Sequence, residues 1–263
     1  VASPRTLQLR VGCAEPGALR AGAPVPSRDL TESEILENLE HFTIGRDTPR
    51  TRPCSRLALS GVSGMELAPR ILHRARELGI EQIVLHGRCP SLERGVDAVA
   101  LRVGAVEAIE ASPAAPWIAV VPLDSLGVAA LGELVPRLVV AAPRNIVLAW
   151  PLPGHGQSLP PLREAILRAR EALESLVAAG VPTSIRGLPP CVDGSSDGRT
   201  ANRFYVDADH QLDEALLFVP DVVQYLKPDS CRSCARSTVC DGVPRDWLEH
   251  GVVGPLEPIS VRH

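Results

Sequence analysis

Lysine is nearly missing from this chain: Lys227 is the single lysine among 27 basic residues, and the others are arginine. Neither sign of charge dominates, since the net charge is −4 and acids and bases are spread along all 263 residues. That balance leaves no basic footprint for nucleic acid and no polybasic patch for an anionic membrane. Long hydrophobic runs are missing too. No apolar stretch reaches the ~18–20 residues that a membrane-spanning helix needs. There is no Gly-rich phosphate loop, zinc-protease helix motif or nucleophile elbow. Val1 stands where an initiator methionine would, and no secretory hydrophobic segment follows, so the start reads as trimmed.

What is present is enough apolar material for a full core, 45% of residues, which excludes a disordered chain. Short apolar runs alternate with longer helical patterns, the signature of βα units around a parallel sheet. Strands are expected at Leu7 to Val11, Arg56 to Ser60, Gln82 to Leu85, Asp97 to Val103, Trp117 to Val121, Asn145 to Trp150 and Val181 to Ile185. A helix should start at Thr31, where Glu34 three residues on completes a capping box, with Ile35, Leu36 and Leu39 on one face. Leu67 to Leu78 reads as a second helix stopped by Gly79. Leu162 to Ala179 is the clearest, with Leu162, Ile166, Leu173, Leu176 and Val177 at helical period and Gly180 as its stop. Six or seven such units are too few for a closed eight-fold barrel. The expected fold is therefore α/β, a partial barrel over residues 1–190. A small metal-binding segment over 191–263 should need its metal to stay folded.

The cysteines are seven in number, an odd count, and three of them crowd into ten residues. A disulfide framework is usually even and denser, so the chain reads as reduced and cytoplasmic. Cys231-Arg-Ser-Cys234 sets two thiols two residues apart, a spacing that turns both toward one ion or cluster, and Cys240 follows. A redox pair would instead open a helix after a strand, whereas Pro228 and Asp229 precede this one. A fourth ligand must come from Cys13, Cys54, Cys89 or Cys191. Cys191 is best placed, at the exit of the last strand. Spacing alone leaves zinc and an iron–sulfur cluster equally open.

Other polar groups have two readings. Asp207, Asp209 and His210 could form an acid–base or metal set, but a turn followed by a helix N-cap before Leu212 to Phe218 accounts for them. His155, between Gly154 and Gly156, falls where ligand loops follow barrel strands, or is simply an exposed loop histidine. Gly61 to Gly64 could offer backbone amides to an anion.

The segment Lys227-Pro-Asp-Ser-Cys-Arg-Ser-Cys-Ala-Arg-Ser-Thr-Val-Cys-Asp-Gly-Val-Pro-Arg-Asp-Trp-Leu resembles the ending of radical SAM (S-adenosylmethionine) proteins that carry an auxiliary cluster of the SPASM or twitch kind. Gly187-Leu-Pro-Pro-Cys191, the loop Trp150-Pro-Leu-Pro-Gly154 and the Leu256-Glu-Pro258 stretch are similar to that family as well. The resemblance implies a partial (β/α)6 barrel and a [4Fe–4S] cluster on Cys191, Cys231, Cys234 and Cys240. The family's Cys-x3-Cys-x2-Cys motif, which holds the SAM-cleaving cluster, survives here only as Cys13, with Gly17 and Arg20 in the other two places. Gly offers no ligand, and Arg does not deprotonate to become one. The Gly-Gly-Glu-Pro segment that meets the SAM amino group appears as Gly61-Val-Ser-Gly64. Cys89 falls on the same rim of the sheet as Cys13 and Cys54 on the opposite rim, so two nearby thiols are one too few to rebuild the site, and Cys13 is expected to be a leftover buried thiol. His86 could add a ligand but fits better as a hydrogen-bonded neutral histidine at a strand end.

These residues together suggest a radical-SAM-derived pseudoenzyme with SAM binding not expected, acting as a binding or electron-transfer partner in peptide or natural-product modification. Alternatives are an active radical SAM enzyme with an atypical site and a zinc-stapled structural protein. Arg20, His86, Arg88 and His155 should share the strand C-terminal rim, a place for an acidic peptide substrate or a partner enzyme's acidic surface.

Overall fold

Each of the seven expected apolar runs becomes a parallel strand of one sheet. In the computed structural model these are β1 (Arg5–Arg10), β2 (Cys54–Ser60), β3 (Gln82–His86), β4 (Ala98–Arg102), β5 (Trp117–Pro122), β6 (Asn145–Ala149) and β7 (Thr183–Arg186). The structure describes residues 5–13, 26–44, 53–62, 65–110, 116–151, 159–189, 191, 203–216, 225–238, 240, 242–249 and 259. An eighth strand, β8 (Arg203–Val206), lies beyond the expected end of the barrel and pairs in parallel with β1, Gln8 opposite Tyr205. The sheet order is thus β7-β6-β5-β4-β3-β2-β1-β8, an open parallel sheet whose edges are β7 and β8.

Among the described residues the helices that accompany the strands include α1 (Glu32–Ile44), α2 (Arg70–Glu77), α3 (Glu107–Glu110), α4 (Ser125–Ala141), α5 (Leu162–Ala178) and α6 (Arg245–Glu249). The sheet's outer face supplies Leu7, Leu9, Leu57, Leu59, Ile83, Leu85, Ile146 and Leu148 to the core beneath them, all essentially inaccessible. The helix α5 turns a narrower stripe inward than its larger side chains suggest. Leu162, Ala165, Ala169, Ala172 and Leu176 are buried, while Val177 is exposed. Small alanines let the helix lie close to its neighbours, and Val177 falls just off that stripe. Gly180, at φ +77°, reverses the chain after α5, as its position predicts.

The capping box is present. Glu34 N–H donates to Thr31 Oγ1 at 3.3 Å, and Thr31 N–H donates to Glu34 Oε2 at 2.7 Å. Arg28 clasps the same carboxylate with two bonds, 2.6 and 2.9 Å, and Gln211 adds a third donor at 3.2 Å. Buried Asn38 extends the network, donating to Gln211 and accepting from Leu212 N–H at 3.0 Å. Phe42 stacks against Phe204 of β8, with centroids 4.8 Å apart. So α1 is what fastens the late strand β8 to the first strand of the sheet. The Arg28 guanidinium, then the Thr31 amide, hold the Glu34 carboxyl far below the usual carboxylate range. A group depressed in the folded state stabilises above its unfolded pKa of about 4.3 and loses that contribution as pH falls below it. Glu34→Ala should lower stability by about 1 kcal/mol at neutral pH. In thermal melts the gap to the wild type should shrink as pH is lowered below about 4.

The expected helix from Leu212 to Phe218 shrinks, among the described residues, to a single 3-10 turn at Leu212–Glu214. Leu212 takes a left-handed φ of +51°, which interrupts helical propagation. The preceding Asp-x-Asp-His stretch is the turn expected of it. Asp207 accepts from Asp209 N–H and His210 N–H at 2.9 Å each, and the Asp209 carboxylate accepts from Ser27 N–H at 2.8 Å.

The inner face of the sheet is polar. Register places Gln8, Arg10, Ser60, His86, Ser184 and Tyr205 there, with small apolar groups such as Ala58 and Ala100 between them. Among the described residues no helix is long and apolar enough to cross a membrane.

Candidate metal centre

After β7 the chain passes Gly187 and reaches Cys191, half-buried against the core. Further on, β9 (Tyr225–Leu226) and β10 (Val243–Pro244) pair as a short antiparallel ladder, and the chain between them closes into a knuckle. Its turns are wound by backbone bonds: Cys231 N–H to Pro228 O at 2.8 Å, Cys234 N–H to Cys231 O at 3.1 Å, and Cys240 N–H to Arg236 O at 3.0 Å. Gly242 closes the knuckle at φ +95°, where an added Cβ would stand 2.2 Å from Leu226 O. Only glycine fits that approach.

The four thiols singled out by spacing and position, Cys191, Cys231, Cys234 and Cys240, all line one small cavity. Lys227, Arg236 and Gly242 line it too, so the cavity has two cationic side chains beside its sulfurs. Burial, and then the charges of Cys240, Cys231 and Cys234, push the Cys191 thiol up to about 11. Burial and two of the same neighbours raise Cys231, against an opposing pull from Lys227. Gly242 N–H donates to Cys240 Sγ at 3.3 Å, a bond that favours the thiolate. Mutual repulsion among four thiolates is what a cation or cationic cluster relieves, and the donor set suits either zinc or iron–sulfur. As they stand, the four sulfurs line the cavity without closing on one point. No group of three or more His, Cys, Asp or Glu among the described residues has ligating geometry. The free space between them is about 20 Å3, room for one water-sized body.

The remaining cysteines are scattered. Cys54 opens β2 and is pushed up to about 12 by burial. Cys89 is buried beyond β3, its sulfur 3.5 Å from Met65 O and 3.3 Å from Ser91 Oγ. Cys13 corrects an expectation. It is exposed rather than buried, because it follows β1 off the sheet, where Asp29 holds its N–H at 2.7 Å. The Asp29 carboxylate also raises the Cys13 thiol. Just before it, Gly12 and Gly61 touch backbone to backbone. A Cβ on Gly12 would stand 2.3 Å from Gly61 O, so close strand-end packing accounts for Gly61.

Of the four expected rim residues, His86 is almost wholly buried on the inner face of β3, and Arg88 lies outside it in an ion pair with Glu93 at 2.6 Å. Arg20, His155 and Gly17 lie outside the described residues. Sequence reasoning missed Gly242 as a shaper of the cavity. Its signal was the glycine two residues after Cys240, at a place where the chain must reverse.

No family model matches the sequence, and no curated protein matches it. Several solved chains share its fold, two of them structures of SuiB. Streptococcus suis SuiB bound to S-adenosylmethionine superposes with a TM-score of 0.58 at 10% identity, over 98% of this chain and 76% of that one. A second SuiB structure gives 0.54 at 10% identity, over 86% of this chain and 63% of that one. The chain therefore shares the open α/β sheet fold of SuiB, and it spans only part of SuiB's length.

Proposed function

We propose that this protein is a radical-SAM-derived chain carrying one C-terminal [4Fe–4S] cluster on Cys191, Cys231, Cys234 and Cys240. It has lost SAM cleavage and serves as a binding or electron-transfer partner in peptide or natural-product modification. The observation that carries this reading is the convergence of four thiols from two distant stretches of chain on one cavity. When bound, such a cluster supplies one-electron transfer. The chain's own residues do the rest: Lys227 and Arg236 offset thiolate charge, and Gly242 N–H is aimed at Cys240 Sγ. Loss of SAM cleavage rests on Gly17 and Arg20 in ligand positions, and on Cys13 meeting a carboxylate, Asp29, rather than further thiols. The partner surface would be the strand C-terminal rim, meeting an acidic peptide or protein through Arg20 and His155, which the sequence assigns there, since His86 is buried and Arg88 is paired with Glu93.

A second reading has one observation in its favour. A cavity of about 20 Å3 is closer to the size of a single zinc ion than of a cubane, and four cysteines also suit structural zinc. Anaerobic reconstitution followed by iron, sulfide and zinc analysis tests both. The cluster reading expects about four irons per chain and absorption near ~400 nm, whereas zinc is colourless. Incubation with dithionite and SAM should yield no 5′-deoxyadenosine. Its release would show that SAM chemistry is retained, and SAM binding without cleavage would leave SuiB's ligand as a bound but unreacted group.

A further inference from the structure

The inner face of the sheet lines a second cavity, of about 450 Å3 and open to solvent, which shares no lining residue with the cysteine cavity. It exists because the inner positions of β2 and β4 are filled by Ala58, Ala98 and Ala100, which stop short of the sheet axis. Residues of β1 and residues flanking β7 line the same space, so the sheet curls around it. Its size falls within the range of small-molecule sites, roughly 300–1,000 Å3.

The charge of this cavity is one-sided. Arg56, Arg144 and Arg186 line it together with His86, and among the described residues no Asp or Glu does. Arg56 makes no hydrogen bond or ion pair with any described residue that would absorb its charge. Arg144 spends one bond, at 3.3 Å, on the carbonyl of Asp97. The nearby Asp97 carboxylate is itself committed to Arg76 at 2.7 Å and to Ile83 N–H at 2.6 Å. Gln8, Gln82 and Asn145 add amide groups, and Val84, Ala100 and Val147 give an apolar wall. Arg56 and Arg144 belong to the N-terminal ends of their strands, at the opposite end of the sheet from Cys13.

We infer that this cavity is a binding site for a small organic anion, with a phosphate or carboxylate held by Arg56 and Arg144 and an apolar body lying against the Val84–Val147 wall. Guanidinium groups whose hydrogen bonds are not taken up by a carboxylate, as for Arg56 and for Arg144 beside the Arg76-bound Asp97 carboxylate, give charge-assisted, bidentate recognition of such head groups. The site is independent of the metal centre.

Calorimetric titration of the full chain tests the inference, with phenyl phosphate and benzoate as probes and inorganic phosphate and phenol as comparisons. Phenyl phosphate or benzoate should bind saturably at one site, and whichever binds identifies the head group. Phenol, lacking the charge, and inorganic phosphate, lacking the apolar body, should bind at least about tenfold more weakly. The double variant Arg56→Gln/Arg144→Gln should lose about tenfold or more in affinity. Arg163→Gln, on the exposed face of α5, should leave affinity unchanged. Both Arg56 and Arg144 are exposed, so the double variant should fold, which an unchanged melt checks. Absence of saturable binding by either probe overturns the inference, as does wild-type affinity in the double variant or equal affinity for inorganic phosphate.

Discussion

Cys231→Ala and Cys191→Ala should each strip most of the bound metal from the purified protein and unfold the knuckle, while Cys13→Ala keeps its metal. The size of the effect follows from how little else holds this segment. From Lys227 to Thr238 no described residue is buried. Among the described residues the knuckle has no apolar core of its own; besides its thiols it is held by short-range backbone bonds, by Ala235 N–H to Ile259 O at 2.9 Å and by Lys227 Nζ to Ser237 O at 2.7 Å. Structural zinc sites in such minimal folds contribute about 10–16 kcal/mol, so loss of the metal exceeds anything the ladder of β9 and β10 supplies. Metal analysis with hydrogen exchange measures both consequences. Amides from 225 to 249 should lose protection while those of β1 to β6 keep it. Retention of full metal by Cys191→Ala, with loss in Cys13→Ala, would show that the ligand assignment is wrong.

The gathering of Cys231, Cys234 and Cys240 in one turn was legible because they are close in sequence and a two-residue gap between thiols has few uses. Cys191 was legible only through its place at the exit of a strand. The strands were legible to within a residue or two, since buried parallel strands are continuous apolar runs. Other features depended on contacts that no local pattern announces. Helix α4 carries Gly127, Gly132 and Pro136 and is apolar at most positions, which blurs its period. It stands nonetheless, with Asp124 capping Gly127 N–H at 2.8 Å and Leu131, Leu134 and Leu138 buried. Strand β8 is four residues long, and its place beside β1 is dictated by α1, through Asn38 and Phe42. Cys13 looked like a core thiol because cysteine is usually buried, but the chain leaves the sheet before it. The arginines of the inner cavity are spread from Arg56 to Arg186, and only strand register gathers them. The one local hint was the alternation of polar residues along β1 and β3, at Thr6, Gln8 and Arg10 and at Gln82 and His86. In a parallel sheet buried on both faces such alternation is unexpected, and it marks an inner face built for something other than packing.

Trp247→Ala should cost about 3–5 kcal/mol, the usual range for emptying a buried aromatic site, and should release the C-terminal segment from the sheet. Trp247 in α6 is 1% exposed and meets Trp150, at the end of β6, edge to face with ring centroids 5.7 Å apart. Val243, also fully buried, is the neighbouring apolar contact from β10. These residues connect the tail to the main core, so the position of the cysteine knuckle relative to Cys191 depends on them. The indole Nε1 of Trp247 is buried and has no hydrogen-bond partner among the described residues, so the ring is held by packing and not by its polar edge. Trp247→Phe should therefore cost less than about 2 kcal/mol, because it keeps most of the edge-to-face contact and removes an unsatisfied donor. Urea unfolding followed by tryptophan fluorescence measures both variants, and the protein's three tryptophans keep the signal simple. Trp247→Ala should also weaken metal retention, since Cys191 and the knuckle would no longer be held in register. A variant that loses several kcal/mol yet retains metal as tightly as the wild type would show that the knuckle and Cys191 hold their arrangement without the Trp150–Trp247 contact.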